Sequence, residues 1–405
     1  MAAGTAPSPS NWSGLVDTLV LANYLDVRWD ATKRVRVLLD KLFSNGVVQM
    51  DPEGGRYLDW LIKAGEFDLN YSADLASRTW NRENHDLTAT APYTFLERGT
   101  VLSENDATFL TTRAARVKKV QQMTDDLVND IGRAFNKKLL QENGGANTTF
   151  GLSAYSGSQK ALLGLPSVFG YGTAALAYDP DTQTVGSAVA ATDREVAPNA
   201  TYCTFSTHPT NAISGVTNRV NEATSPVITN WSGTVWRTGA FTTWAGNCLE
   251  VLEHMVTRQS RDNAAELRPN LGMMTQKFFR QFREAVRTRS EQHVVLTTSA
   301  QNPDMGLYPK RISVPFCDME WFYDQDMPAN TVYSLNAQRN AVMMKHLDAH
   351  VAGSMDGPFA TGKKKSLWSV RQFADINEGA FKLLAKCATQ IIWRPDLQAA
   401  SYTFA

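Results

Sequence analysis

The sequence offers little to a charged partner or a membrane. Lysine plus arginine equals aspartate plus glutamate, 40 against 40 in 405 residues, so no net field draws the chain to nucleic acid or an anionic bilayer. No apolar run approaches the ~18 residues of a membrane-spanning helix. The opening Ala2-Ala3-Gly4-Thr5-Ala6-Pro7-Ser8-Pro9 lacks the charged and apolar regions of a signal peptide. Cys203, Cys248, Cys317 and Cys387 are scattered without a CxxC pair, which reads as reduced core thiols and excludes a disulfide framework. Sequons at Asn11, Asn70, Asn147, Asn199 and Asn230 have meaning only in a secreted chain and are set aside. None of the 26 glycines falls in G-x-G-x-x-G, and there is no G-x-S-x-G elbow, internal repeat or heptad pattern. A chain of this length exceeds what one hydrophobic core usually fills, so two or more domains are expected.

What is present begins with a long helical pattern. Ser103 followed by Asp106 has capping-box spacing, and Asn143-Gly144-Gly145 is a stop. Between them Leu110, Ala114, Val117, Leu127, Ile131, Phe135 and Leu139 recur at three- and four-residue steps. The spacing predicts a rod about 60 Å long at about 1.5 Å per residue, whose apolar stripe needs an equally extended cover. Upstream, Ser44 to Thr100 reads as a two-stranded arm. Phe67, Leu69 and Tyr71 alternate with polar residues, and Thr88, Thr90, Tyr93 and Phe95 form a return strand with Pro92 at an edge or bulge. Asp51-Pro52-Glu53-Gly54-Gly55 supplies a turn at its base. A lone ribbon needs a surface to lie on. Trp60, Tyr71 and Trp80 stand among Arg56, Arg78 and Arg82, residue types enriched at protein interfaces. The arm is therefore expected to bury these side chains against a neighbour and to add little to the chain's own core.

Residues 146 to 234 are rich in Gly, Ala, Ser and Thr, as in loops and short strands. Phe241, Trp244, Cys248, Leu252 and Met255 form a second amphipathic helix ending near Arg258, and Phe278, Phe282 and Val286 a third after Pro269. Strands follow at Ile312 to Phe316, Val332 to Leu335 and Phe381 to Trp393, the last ended by Arg394-Pro395. Three places touch on chemistry. Gly357 to Lys364 nearly fits a phosphate-binding loop, but Lys364 replaces the magnesium-binding hydroxyl. Asp324-Gln325-Asp326 has hard-cation ligands, but Pro328 makes a turn the simpler reading. His346 and His350 have i, i+4 spacing without the glutamate of H-E-x-x-H. No acid, base and nucleophile converge in the sequence; no catalytic residue, metal or cofactor is expected.

In this order the elements resemble the major capsid proteins of tailed bacteriophages, with the Hong Kong 97-type fold. Leu38-Leu39-Asp40-Lys41-Leu42-Phe43 is similar to the leucine-rich segment before that family's extended loop, and Gly151-Leu152 to its start of the axial domain. Gly215-Val216-Thr217-Asn218-Arg219 with Trp231 resembles its G-G-I-x-R…W stretch, though the glycine pair is broken. The segment from Asp324 and Asp326 through Pro328 to Asn336 resembles its turn into a peripheral-domain strand. A long charged N-terminal helical segment, cleaved off in some members, is missing, so an uncleaved chain is expected.

The resemblance implies an α+β chain in which residues 1–43 form an N-terminal arm and 44–100 the extended β-hairpin loop. It places the spine helix of the peripheral domain in 101–145, the axial domain in 146–320, and peripheral-domain strands in 321–405. It implies self-assembly into pentamers and hexamers of an icosahedral shell, built in the host cytoplasm, enclosing double-stranded DNA held by non-specific contact. Scaffolding, decoration and portal proteins are further implied partners; a membrane is not. Lys363, Lys364 and Lys365 are expected in an inter-capsomer loop. The readings left open are a metal-dependent transferase using Asp324 and Asp326, and a β-rich binding module.

Overall fold

Val37, Leu38, Leu39 and Leu42 bury one side of a short helix, α1 (Val37–Ser44), which leads into strand β1 (Val48–Asp51). The computed structural model describes residues 37–51, 57–66, 84–103, 113–141, 162–169, 176–188, 193–198, 201–233, 236, 243–260, 267–288, 319–347, 369–375 and 380–403. Strands β2 (Tyr57–Lys63) and β3 (Asp86–Pro92) form an antiparallel hairpin, with Tyr57 opposite Pro92 and Lys63 opposite Asp86. Pro92 sits at the end of the ladder, where its missing N–H costs nothing. The strand expected at Phe67 to Tyr71 lies outside the described residues. The strand paired with β3 is Tyr57–Lys63, whose alternation is hidden because Tyr57 and Leu61 put apolar groups on its outer face as well.

Strand β4 (Thr94–Ser103) precedes helix α2 (Arg113–Gln141). The expected helix start at Ser103 is corrected: Ser103 is the last residue of β4 and pairs with Ala380. The described helix has 29 residues, about 44 Å at about 1.5 Å each. Leu127, Ile131, Phe135, Leu139 and Leu140 are buried along it, and it lies against β4 and the long strand β16 described below.

The middle of the chain supplies a short helix α3 (Leu165–Phe169) and strands β5 (Leu176–Asp179), β6 (Thr184–Ala188), β7 (Glu195–Ala197), β8 (Thr201–Tyr202), β9 (Phe205–Ser206) and β10 (Val227–Asn230). Helix α4 (Trp244–Gln259), strand β11 (Leu271–Met274) and helix α5 (Gln276–Thr288) follow. The last strands are β12 (Glu320–Tyr323), β13 (Val332–Leu335), β14 (Val342–Leu347), β15 (Ser369–Asp375), β16 (Ala380–Trp393) and β17 (Gln398–Tyr402), with a 3₁₀ turn at Pro395–Leu397. The α4, α5, β13 and β16 patterns thus appear where periodicity placed them, and Arg394-Pro395 does end the long strand.

Two larger sheets organise the chain. In the first, β16 pairs with β4 along one edge; on the other it pairs with β15 over Ala380–Lys386 and with β14 over Thr389–Trp393. β1 then joins β14 in parallel. The second sheet has eight strands in the order β12-β11-β13-β17-β10-β7-β5-β6. Sheet membership cuts across the sequence segments: β13 and β17, from the segment 321–405, lie between β11 and β10, whereas β14, β15 and β16 build the first sheet.

The centre of the second sheet is buried on both faces, so its strands lack the apolar–polar alternation of a half-exposed sheet, and Ser334, Gln398 and Ser401 are buried within it. Met273, Tyr333 and Ala400 join the core shared with α1, α2 and β16, while Met274, Val332 and Ala399 join the core under α4 and α5. That second core is aromatic: Trp244 stacks on Phe278, and Phe282 lies against Trp321. Gly272 faces Trp321 across the β11–β12 ladder, and a Cβ there would sit 2.2 Å from the buried indole. Gly272→Ala should lower stability by about 2 kcal/mol or more, as overpacked cores do. A shift of the urea midpoint checks this; a wild-type midpoint would contradict it.

Candidate assembly surfaces

The hairpin is tied to its own chain. Ala64 and Gly65 both donate from N–H to the His85 carbonyl, and Glu66 N–H donates to Asn218 O at 3.0 Å. Thr217 N–H donates to Asn84 O at 2.7 Å, Val220 N–H to Ala64 O at 3.0 Å, and Asn84 Nδ2 to Gly215 O at 2.6 Å. Leu58 and Tyr93 are buried with Ala388 and Ile392 of β16, and Ala89 and Ala91 belong to the main core. Trp60 is partly buried against both groups. The expectation that the arm adds little to the chain's own core is therefore corrected for its described part. The surface that a lone ribbon requires is supplied by β16 and the 213–220 loop.

What the hairpin leaves outward is the other face of β2. Leu61 is 73% exposed and Tyr57 56%, flanking Asp59 and preceding Lys63. Phe95 and Val101 of β4 are also exposed. An open cleft of about 400 Å³ lies beside Leu61, lined by Trp60, Phe205, Val342, Ile392, Trp393 and Arg339 among others. Of the expected interface set, Arg56, Tyr71, Arg78, Trp80 and Arg82 lie outside the described residues, as do Lys363, Lys364 and Lys365.

The Asp324–Pro328 segment is a turn held by helix α2. Asp324 is buried; Oδ2 accepts from Asn136 Nδ2 at 3.1 Å and Oδ1 from the Asp326 N–H at 2.8 Å. Gln141 Nε2 donates to Asp326 O at 2.7 Å, and the Leu39 N–H reaches Asn136 Oδ1 at 3.4 Å. Both carboxylate oxygens of Asp324 thus serve the turn, and Pro328 is half-buried within the same segment. Among the described residues no three His, Cys, Asp or Glu side chains converge as metal ligands. His346 falls on strand β14, so helical i, i+4 spacing does not apply there. Also among the described residues, no helix is long and apolar enough to cross a membrane.

The remaining family-like residues are internal ties. Trp231 donates from Nε1 to Asn330 O at 3.2 Å and sets its ring edgewise to Trp244 and Phe278. Asn336 is buried, its N–H donating to Gln398 Oε1 and its carbonyl accepting from Gln398 Nε2. Arg219 Nη2 donates to His208 O at 2.6 Å and Thr224 Oγ1 at 3.0 Å, and burial lowers its pKa. Burial, then the neighbouring Arg219 charge, lowers the pKa of His208, whose Nδ1 accepts from the Thr210 and Asn211 amides.

Sequence reasoning missed a buried ionic group. Arg258 Nε donates to Glu195 at 3.0 Å and Nη2 to Glu222 at 2.7 Å; His254 also contacts Glu195, and the Tyr178 hydroxyl donates to Glu222. Burial opposes the Arg258 charge, but the two carboxylates outweigh it and raise the pKa. Nothing in the spacing of 178, 195, 222 and 258 announces this meeting. Cys203, Cys248 and Cys387 are buried and in no disulfide, with burial pushing the Cys387 pKa far up; Cys317 lies outside the described residues.

Removing Asn136 takes one hydrogen bond from the buried Asp324 carboxylate, and a hydrogen bond to a charged group is typically worth about 1.5–3 kcal/mol. Asn136→Ala should accordingly lower the denaturation midpoint of the unassembled chain and loosen the turn before β13. Unchanged stability would show that the tie is dispensable.

No family model matches this sequence, and no curated protein resembles it in sequence. Solved structures do match in fold. The chain is similar to a subunit of the cyanophage A-1(L) capsid asymmetric unit at 16% identity, covering 93% of this chain and 96% of that one with a TM-score of 0.56. The capsid of Myoviridae phage XM1 aligns at 11% identity over 99% and 100% of the chains, TM-score 0.48. That of cyanophage P-SCSP1u aligns at 11% identity over 94% of each, TM-score 0.48. The first of these carries the assignment: the chain has the Hong Kong 97-type α+β fold of tailed-phage major capsid proteins.

Proposed function

We propose that the chain is a structural subunit that self-assembles through pentamers and hexamers into an icosahedral virion shell around double-stranded DNA. The observation that carries this reading is the fold match to a capsid subunit along 93% of the chain. Balanced charge accords with a DNA contact that is blind to sequence. In this reading the spine helix and first sheet form the slab of the peripheral domain, and residues 146–320 supply most of the axial domain. Assembly takes place in the host cytoplasm, with scaffolding, portal and decoration proteins as further partners. The hairpin meets a neighbour through Tyr57, Leu61 and the segment bearing Tyr71, Arg78, Trp80 and Arg82, with Arg56 at its base. Lys363, Lys364 and Lys365 lie at a contact between capsomers. The role is architectural, with no catalytic step.

Leu61→Asp tests the hairpin face. It should sharply reduce shell yield in negative-stain microscopy. The melting temperature of the unassembled chain should stay within about 2 °C, because exposed substitutions rarely change stability by much. Trp60→Ala should instead lower both, since Trp60 is packed on its own chain. Normal shells from Leu61→Asp would remove β2 from the interface.

A further inference from the structure

Residues 213–224 carry two sets of partners. One is the hairpin: the N–H groups of Glu66, Thr217 and Val220 all donate across this junction. Gly65 bridges Arg219 so closely that a Cβ would lie 2.4 Å from Thr217 O. The other is the buried ionic group. Glu222, two residues beyond Val220, takes Arg258 of α4 and Tyr178 of β5, while Arg258 also holds Glu195 of β7, itself in contact with His254. The strap between these attachments is bent unusually for side-chain-bearing residues: Asn218 has φ +49° and Glu222 φ +65°. Left-handed backbone at such residues persists where surroundings impose it.

We propose that Arg258 is a clasp that fixes this strap and, through it, the pose of the hairpin. Without the Arg258 bridge the left-handed Glu222 keeps Tyr178 and its N–H bond to Pro209 O but is held less firmly, and Val220, which holds Ala64, moves with it. A change at the ionic group under α4 thereby reaches β2 without crossing the first sheet. The importance of the device for assembly rests on the proposed function, but the coupling itself is a property of the single chain.

Amide hydrogen exchange on the unassembled full chain tests it. Arg258→Met should speed exchange of the Glu66, Thr217 and Val220 amides about tenfold or more, as expected for a local opening. The β14–β16 ladder should keep its protection. Gly65→Ala should open the same amides from the hairpin side while leaving α4 protected. If Arg258→Met fails to fold, Arg258→Lys, which keeps the charge but loses the two-pronged bridge, should give the same pattern at smaller amplitude. Faster exchange confined to α4 and β7, with Glu66 and Val220 at wild-type rates, would overturn the proposal. Absence of shells from the wild-type protein would instead count against the assembly role alone.

Discussion

Strand β16 is the constraint on which the rest of the structure depends. Its fourteen residues pair with β4 over Ala380–Thr389 on one edge and with β15 and then β14 on the other, and its C-terminal half is buried. A buried strand must satisfy every backbone polar group and the polar side chains it carries. Gln390 does this for several elements together: Nε2 donates to Pro92 O and Thr94 Oγ1, and Oε1 accepts from the Leu163 N–H. Trp393 adds its N–H to the Tyr202 hydroxyl and its indole N–H to Leu163 O. The end of one strand thus gathers the hairpin, the approach to α3 and the β8–β9 turn. After a 3₁₀ turn the chain continues into β17, at the centre of the second sheet. The two sheets are therefore linked by a few residues of tightly bonded backbone.

Helix α2 fits the same logic from the other side. Asn136 and Gln141 reach from its last turns to the Asp324–Asp326 turn, which directs the chain into β13. Polar residues inside this core thus act as fasteners between elements far apart in sequence, and such networks favour one arrangement when fully satisfied. In the proposed role, each copy repeating in a shell needs that uniqueness. The hairpin is attached through hydrogen bonds to the 213–224 strap and through one face to β16.

Much of this was legible in the sequence, and the misses have physical causes. Helices α4 and α5 read clearly because Trp244, Cys248, Leu252 and Met255, and then Phe278, Phe282 and Val286, each mark one buried face. Strand β16 announced itself by length. Strand β2 did not, because Leu58, Trp60 and Ile62 turn inward while Tyr57 and Leu61 remain outside, which erases the alternation. Ser103 carried a cap-like spacing but is claimed by a ladder with Ala380 that no local pattern encodes. Trp60 looked like an interface anchor because aromatics beside arginines often are; part of its surface packs on its own chain, against the cluster of Leu58, Tyr93, Ala388 and Ile392. The Arg258 group was invisible, since its members lie on separate elements of the fold. The order of elements carried the fold assignment where each short motif was degenerate.

The central claim is that this body is built to repeat in a closed shell, and cryo-electron microscopy of the purified wild-type chain tests it most directly. The account predicts closed particles in which the two-sheet body recurs around five-fold and quasi-six-fold axes, with the hairpin's Leu61 face against a neighbour. A monodisperse single-chain species at every concentration and salt condition tried would contradict it.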